Sequence, residues 1–307
     1  MRVIITEFMD EGALSGFGPD TNIVYDPTLV DDRPRLLSML GDADALIVRN
    51  RTQVDGAVLE AAPRLRAVGR LGVGLDNIDM AACAARGVPV FPATGANTLS
   101  VAEYVITAAL MLRRGAYAAN TAMMAGQWPR NALMGAEVSG AVMGLLGYGQ
   151  IARAVAGRAR AMGMQIVAHD PMLPLGDPAW EGAERLELAE LLARADVLSL
   201  HVPLTDTTRG LLGREALGKV KPGAVLINTA RGGIIDVAAL AEALKSGALG
   251  GAALDVFDAE PLTAEAAQVF EGVPNLILTP HIAGVTQEAN RRVSVLTVAT
   301  IRAALGG

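Results

Sequence analysis

The chain has 307 residues, enough for two domains with a core each, and its 51% hydrophobic against 19% charged content excludes long disordered stretches. A net charge of −6 with no lysine or arginine block argues against nucleic-acid binding, and no apolar run is long enough to span a bilayer. The single cysteine, Cys83, cannot close an internal disulfide, and the chain runs straight into RVIITEF without signal-peptide architecture, so a cytoplasmic location is expected.

Strand-like and helix-like segments alternate through the first hundred residues. Strands are expected at Val3–Thr6, Asn22–Tyr25, Ala45–Val48, Leu65–Arg70 and Val88–Phe91, and helices at Arg33–Leu40, Val54–Ala61 and Met80–Arg86. Such alternation predicts a parallel sheet covered by helices on both faces. Cys83 falls in helix-like sequence and is expected to be a small buried apolar residue. No glycine-rich phosphate fingerprint occurs in this half. Asn97–Arg114 reads as one long helix, with Ser100 or Thr98 as N-cap and Gly115 past its end, followed by a less regular segment, Ala118–Gly135.

Alternation then resumes with a strand at Gly140–Leu146, a helix at Ile151–Met162 and a strand at Gln165–His169. The stretch Leu188–Ala195 has apolar residues at helical spacing and leads into a strand at Val197–His201. Later strands are expected to end near Thr229, Val256 and Thr279, and Gln287–Leu305 is a closing helix with Val298, Ile301 and Leu305 on one face. Junctions near residue 97 and at Ala283–Gly284 give a second domain of residues 97–283 inserted in a discontinuous first domain of residues 1–96 and 284–307. Both domains are α/β, each a doubly wound parallel sheet.

GLLGYGQIARAVAGRARAMGMQIVAHD places Gly147-x-Gly149-x-x-Ala152 between a strand and a helix. Gly147 permits a tight turn, Gly149 lets a pyrophosphate approach the backbone, and Ala152 allows close packing of helix on strand. The helix N-terminus presents free N–H groups to the phosphates. Asp170, 21 residues after Gly149, stands where an acid accepts hydrogen bonds from ribose hydroxyls. A carboxylate there repels a 2′-phosphate and Pro171-Met172 offers no cation for one, so NAD is expected rather than NADP, on a Rossmann-type domain. The alternative is a glycine turn that only packs a helix on a sheet; strand, helix and acid together weigh against it. A P-loop is excluded by the missing Gly-Lys-Ser/Thr, and no metal site is expected.

Three polar residues follow apolar runs at successive strand ends: Arg231 after AVLINTA, Glu260 after AALDVFDA and His281 after LILTP. Ligands of open parallel sheets bind outside those ends. An imidazole suits proton transfer near neutrality, a carboxylate beside it favours and orients the imidazolium, and an arginine fork matches a substrate carboxylate. Each residue also has a plainer reading: a hydrogen-bonded structural histidine, a solvated turn before Pro261, and a phosphate contact before Gly232-Gly233. Of the other histidines, His169 is expected to take an edge or adenosine-contact role and His201 is a candidate for lining the cofactor pocket.

GLLGYGQIA, ADVLSLHVPLT, KPGAVLINTARGGIID, ALDVFDAEP and LTPHIAG, with RLGVGLDNID and TGANTLSVAEY, resemble the successive motifs of the D-isomer-specific 2-hydroxyacid dehydrogenase family over nearly the whole chain. That resemblance implies a catalytic set on Arg231, Glu260 and His281, and a Rossmann cofactor domain inserted in a flavodoxin-like substrate domain, with the active site in the cleft between them. It implies an NAD site at Gly147, Tyr148, Gly149, Gln150, Ile151, Asp170, His201, Pro203, Thr207, Thr229, Ala230, Arg231, Asp255, His281 and Gly284, with Asp255 on the nicotinamide amide. Backbone N–H groups around Gly72, Val73 and Gly74, together with Asn97, Arg231 and His281, are implied for the substrate, and a homodimer joined through the cofactor domains for the assembly. Two departures, Ala152 for the third fingerprint glycine and His169 where an aromatic residue is frequent, are small. Corepressors that sense NAD share the fold, but this chain carries the full reacting set; formate dehydrogenases share it too, with Gln where this chain has Glu260.

LIVRNRTQV places Arg49 and Arg51 just beyond a first-domain strand, where a substrate with a second anion gives them a purpose. Two exposed surface arginines are the plainer reading. ITEFMDEGAL, TLVDDRPRLL, LIVRNRT and WPRNALMG are most similar to family members that oxidise 3-sulfolactate to 3-sulfopyruvate, which implies a sulfonate as that anion; Arg130 is a further candidate across a dimer. Phosphoglycerate, glycerate, hydroxypyruvate and glyoxylate are the alternative substrates within the family.

Overall fold

Short runs of two to five residues, most of them apolar, form the strands of two separate parallel sheets. The computed structural model describes residues 1–306, and the chain divides into two compact units, Met1–Asn97 with Val285–Gly307 and Thr98–Gly284.

In the first unit β1 (Arg2–Ile5), β2 (Asn22–Tyr25), β3 (Ala45–Val48), β4 (Ala67–Arg70) and β5 (Val90–Pro92) lie in the order β2-β1-β3-β4-β5, all parallel. This is the flavodoxin-like order, whose direction reverses between β1 and β3. Helices α1 (Arg33–Met39), α2 (Gly56–Ala61) and α3 (Met80–Ala85) each start at an aspartate. Asp32, Asp55 and Asp79 accept a first-turn N–H, from Arg35, Val58 and Ala82, which satisfies one orphan donor per helix. The cap at Asp55 excludes Val54 from α2, and Val54 instead bridges Ile78. Cys83 is buried in α3. On the other face lies the closing helix Gln287–Leu305, started by the Thr286 hydroxyl, with Val293, Val298, Ile301 and Leu305 against Val3, Ile5, Ala45, Ile47 and Ala67.

The second unit begins with α4 (Thr98–Arg114) and the short α5 (Asn120–Met124). Neither Thr98 nor Ser100 caps α4 from outside: Thr98 is its first helical residue, and Ser100 is buried within it. There follow β6 (Val142–Leu146), α6 (Gln150–Ala161), β7 (Gln165–His169), β8 (Glu184–Arg185), α7 (Leu188–Arg194), β9 (Val197–Leu200) and α8 (Arg214–Leu217). The unit ends with β10 (Val225–Asn228), α9 (Val237–Lys245), β11 (Gly251–Leu254), α10 (Ala264–Ala267) and β12 (Leu276–Leu278). The seven strands are parallel in the order β12-β11-β10-β9-β6-β7-β8, the Rossmann order with an added edge strand. Period-two alternation fills both faces: Met143 and Leu145 of β6 pack with α4 and α6, while Leu146, Leu198 and Leu226 pack with α7 and α9. The order reverses between β6 and β9.

Gly69 of β4 lies under the closing helix, and a Cβ there would stand 2.9 Å from both Ile301 Cγ1 and Thr297 Cγ2. Gly69→Ala is expected to overpack this seam at a cost of about 1–3 kcal/mol, read as a lowered denaturation midpoint, while Gly41→Ala, which meets nothing within 4 Å, leaves the midpoint within about 1 kcal/mol of the parent.

Candidate active site

The turn after β6 is shaped by close approach. Gly147 has φ 85°, and a Cβ on it would lie 2.7 Å from the His201 carbonyl oxygen, so β9 leaves room only for glycine. A Cβ on Gly149 would meet nothing within 4 Å, which leaves space beside the backbone for a ligand. Gly149 is the N-cap of α6, and no side chain caps that helix, so the N–H groups of its first turn stay free for an anion. Ala152 is fully buried beneath the turn.

Asp170 Oδ2 accepts the Tyr148 N–H at 2.9 Å and its Oδ1 accepts the Met172 N–H at 2.9 Å, which ties the end of β7 to the glycine turn. The Tyr148 ring is buried and stacked on Trp180 with centroids 5.2 Å apart. Tyr148 therefore builds the turn from inside, while Gln150 and Ile151 start α6 at its rim. Thr229, past the end of β10, has a buried hydroxyl with no hydrogen-bond partner. A free helix N-terminus, space over Gly149, a strand-end carboxylate and an orphaned hydroxyl fit a dinucleotide.

Arg231, Glu260 and His281 follow β10, β11 and β12 at the same edge of the sheet. His281 Nδ1 lies 2.7 Å from Glu260 Oε2, and Glu260 Oε1 accepts the Phe257 N–H at 3.1 Å. Burial alone raises the Glu260 carboxyl, but the His281 hydrogen bond and charge, the Phe257 N–H and the Arg231 guanidinium outweigh it and hold it below the ordinary carboxylate value. Glu260 is thus the anionic partner of the imidazole. Arg231 Nη1 donates to the Ala230 carbonyl at 2.6 Å. Asp255 is 1% exposed, and its carboxylate accepts the N–H groups of Ile282 and Ala283, each at 2.8 Å, and the Thr279 hydroxyl at 2.6 Å.

The other residues expected to bind the cofactor in this unit have the following surroundings. Ala230 donates its N–H to Asn228 Oδ1, the Pro203 carbonyl accepts the Thr208 hydroxyl, the exposed Thr207 hydroxyl lies 3.0 Å from that of Thr205, and Gly284 is half-buried. His169 Nδ1 is 2.9 Å from the Leu186 carbonyl oxygen. His201 Nε2 lies 2.9 Å from Ser199 Oγ, and burial pushes the imidazole down to about 4, so it stays neutral near pH 7.

In the first unit Arg49 and Arg51 diverge. Arg51 is exposed and ion-paired with Asp31, the plainer surface reading. Arg49 is 9% exposed; its Nη1 donates to Asn290 Oδ1 at 2.9 Å and to the Phe8 carbonyl at 3.1 Å, and the guanidinium lies 4.0 Å over the Phe8 ring. Burial pulls this guanidinium below its ordinary value, against the pull of Glu7. The Glu7 carboxylate, buried at the end of β1, is occupied by the N–H groups of Arg49, Asn50, Arg51 and Thr52. Gly72 donates its N–H to the Arg70 carbonyl at 2.7 Å, whereas no backbone bond uses that of Val73 or Gly74 among the described residues. Asn97 Oδ1 is buried without a partner.

Sequence reasoning missed Glu7, Asn290 and Thr279 as neighbours of the candidate residues. A strand-end acid such as Glu7 signals a site only once β1 and β3 are known to be neighbours.

The family described as D-isomer specific 2-hydroxyacid dehydrogenase, NAD binding domain, matches residues 106–283. The chain is 58% identical to an (S)-sulfolactate dehydrogenase of Chromohalobacter salexigens over 99% of its own length and 98% of that protein. It is 39% identical to a D-3-phosphoglycerate dehydrogenase of Mycobacterium leprae, covering 99% of this chain but 57% of that protein. Among solved structures, a D-lactate dehydrogenase of Aquifex aeolicus complexed with NAD and lactic acid matches with a TM-score of 0.87 at 27% identity, over 99% of this chain and 95% of that one.

His201 carries a testable consequence for stability. Its folded value of about 4 lies below the unfolded value of 6.5, so between these two values the unfolded chain binds the proton more readily and stability falls as pH falls. His201→Gln is expected to flatten the loss between pH 6.5 and 4 in denaturation midpoints measured across that range; an unchanged slope would refute the burial of a neutral imidazole here.

Proposed function

From the premise that the chain belongs to the D-isomer-specific 2-hydroxyacid dehydrogenases, we propose that it oxidises 3-sulfolactate to 3-sulfopyruvate with NAD, through His281, Glu260 and Arg231. The 2.7 Å contact between His281 Nδ1 and Glu260 carries the chemical part of this reading. The carboxylate holds Nδ1, so the other ring nitrogen, Nε2, takes the C2 hydroxyl proton, and the charge that develops on the ring is met by Glu260. Arg231 holds the substrate carboxylate by its fork and polarises the oxygen that becomes the carbonyl. The glycine turn would hold NAD, with Asp170 toward its ribose, and the cofactor when bound would supply the acceptor for the C2 hydride. Gln150 and Ile151 with the first-turn N–H groups of α6 would hold its pyrophosphate, and Thr229, Ala230, Asp255 and Gly284 would line the rest of its site.

The substrate rests on likeness to the sulfolactate enzyme across both units. Arg49 supports it: a buried cation with one guanidinium edge committed to Asn290 and Phe8 needs an anion for the other, and sulfonate supplies one. A phosphoester dianion, as in 3-phosphoglycerate, is the competing occupant of the same group. Val73, Gly74 and Asn97 belong to the substrate set by their uncommitted polar groups. Two copies pair through the segment after α4, which exposes Tyr117, Met124, Trp128 and Met134.

NADH formation by the purified chain is expected to show the highest kcat/KM for sulfolactate in a panel with 3-phosphoglycerate, glycerate and lactate; faster turnover of phosphoglycerate or glycerate overturns the substrate but not the chemistry. His281→Ala is expected to lower kcat by about 10²–10⁴-fold while NADH still binds, measured by its fluorescence. Arg49→Ala should raise KM for sulfolactate far more than for lactate.

A further inference from the structure

His281 sits in the left-handed region with φ 55°, one of two non-glycine residues with positive φ among the described residues. An L side chain is kept there only when its surroundings over-determine the turn. Asp255 supplies most of the grip: its carbonyl accepts the His281 N–H at 2.9 Å, a donor shared with the Thr279 carbonyl at 3.1 Å, and its carboxylate accepts the N–H groups of Ile282 and Ala283. The orientation of that carboxylate is set in turn by the Thr279 hydroxyl, 2.6 Å away, and Thr279 Oγ1 lies 2.6 Å from Tyr104 Oη.

The order of donors along this chain follows from chemistry. An ionised Asp255 only accepts, so Thr279 spends its single proton on it, and the Tyr104 hydroxyl must donate to Thr279. Burial raises the Tyr104 phenol and the Asp255 charge raises it further, against the Thr279 bond, so it remains a donor across the working range. Tyr104 lies on α4, 175 residues before Thr279 in the chain. The helix thereby supplies the last donor of a line that ends at the histidine turn.

Resting on the reading of His281 as the acid–base group, we propose that Tyr104 and Thr279 are positioning residues that hold the His281 turn through Asp255. Neither touches the reacting atoms. Their loss lets the turn relax, so the ring nitrogen that faces the substrate hydroxyl leaves its productive position, and a misplacement of about 1 Å is enough to slow the reaction about 100-fold.

The test uses the full chain with Thr279→Val, Thr279→Ser, Tyr104→Phe and His281→Ala, each followed by kcat, KM, NADH affinity and thermal midpoint. Thr279→Val is expected to lower kcat by about 10–100-fold and Tyr104→Phe by less, with KM and NADH affinity nearly unchanged. Thr279→Ser, which keeps the hydroxyl, should recover most of the rate. Wild-type kcat in both Thr279→Val and Tyr104→Phe overturns the proposal, as does a serine variant as slow as the valine one, or a rate loss matched by lost NADH affinity. Should Thr279→Val fail to fold, the serine and phenylalanine variants decide: a wild-type kcat in Tyr104→Phe overturns it, and a slowed Tyr104→Phe beside an active serine variant upholds it. Retained turnover in His281→Ala instead overturns the reading on which the proposal rests.

Discussion

Parallel strands end together, and that constraint decides where the polar groups of the Thr98–Gly284 unit can act. Because β6, β9, β10, β11 and β12 all run the same way, the glycine turn, His201, Arg231, Glu260 and His281 emerge at one edge of one sheet. The reversal of strand order between β6 and β9 opens a crevice above Gly147, where helices diverge to opposite faces. A single antiparallel strand in this set would have sent its polar residue to the far edge.

Buried carboxylates in the two units meet the same physical problem in the same way. Glu7 collects four backbone N–H groups after β1, and Asp255 collects two N–H groups and a hydroxyl after β11. Backbone donors offset the cost of removing each carboxylate from water without a lysine or arginine bonded to it. In exchange each acid fixes a loop that has no regular secondary structure of its own. The loop fixed by Glu7 carries Arg49, and the loop fixed by Asp255 carries His281. Arg49 and His281 therefore each stand on a loop fixed by an acid whose charge is spent on the backbone.

Much of this was legible in advance, and the reasons are local. Strands such as Asn22–Tyr25, Ala45–Val48 and Gln165–His169 coincide with their expected bounds because turn residues flank them closely. The glycine fingerprint and its acid were readable because the spacing itself encodes a strand, a turn, a helix and a strand. Local pattern misled where a cap was at issue: Ser100 looks like an N-cap in isolation, yet it is buried inside α4. Val54 fits the apolar pattern of α2, yet the Asp55 cap starts the helix after it.

By itself the sequence determined two α/β sheets, the glycine turn with Asp170, and three polar side chains, Arg231, Glu260 and His281, at successive strand ends, since each depends on residue types within one short segment. Tertiary structure alone decided that Arg49 is enclosed while Arg51 is spent on Asp31. It also decided that Gly147 is required by the His201 carbonyl, and that a tyrosine on α4 closes a hydrogen-bond line to the His281 turn. Those facts join groups from separate segments, and no residue pattern records a 2.6 Å contact across 175 positions; the packing of helix on sheet makes it.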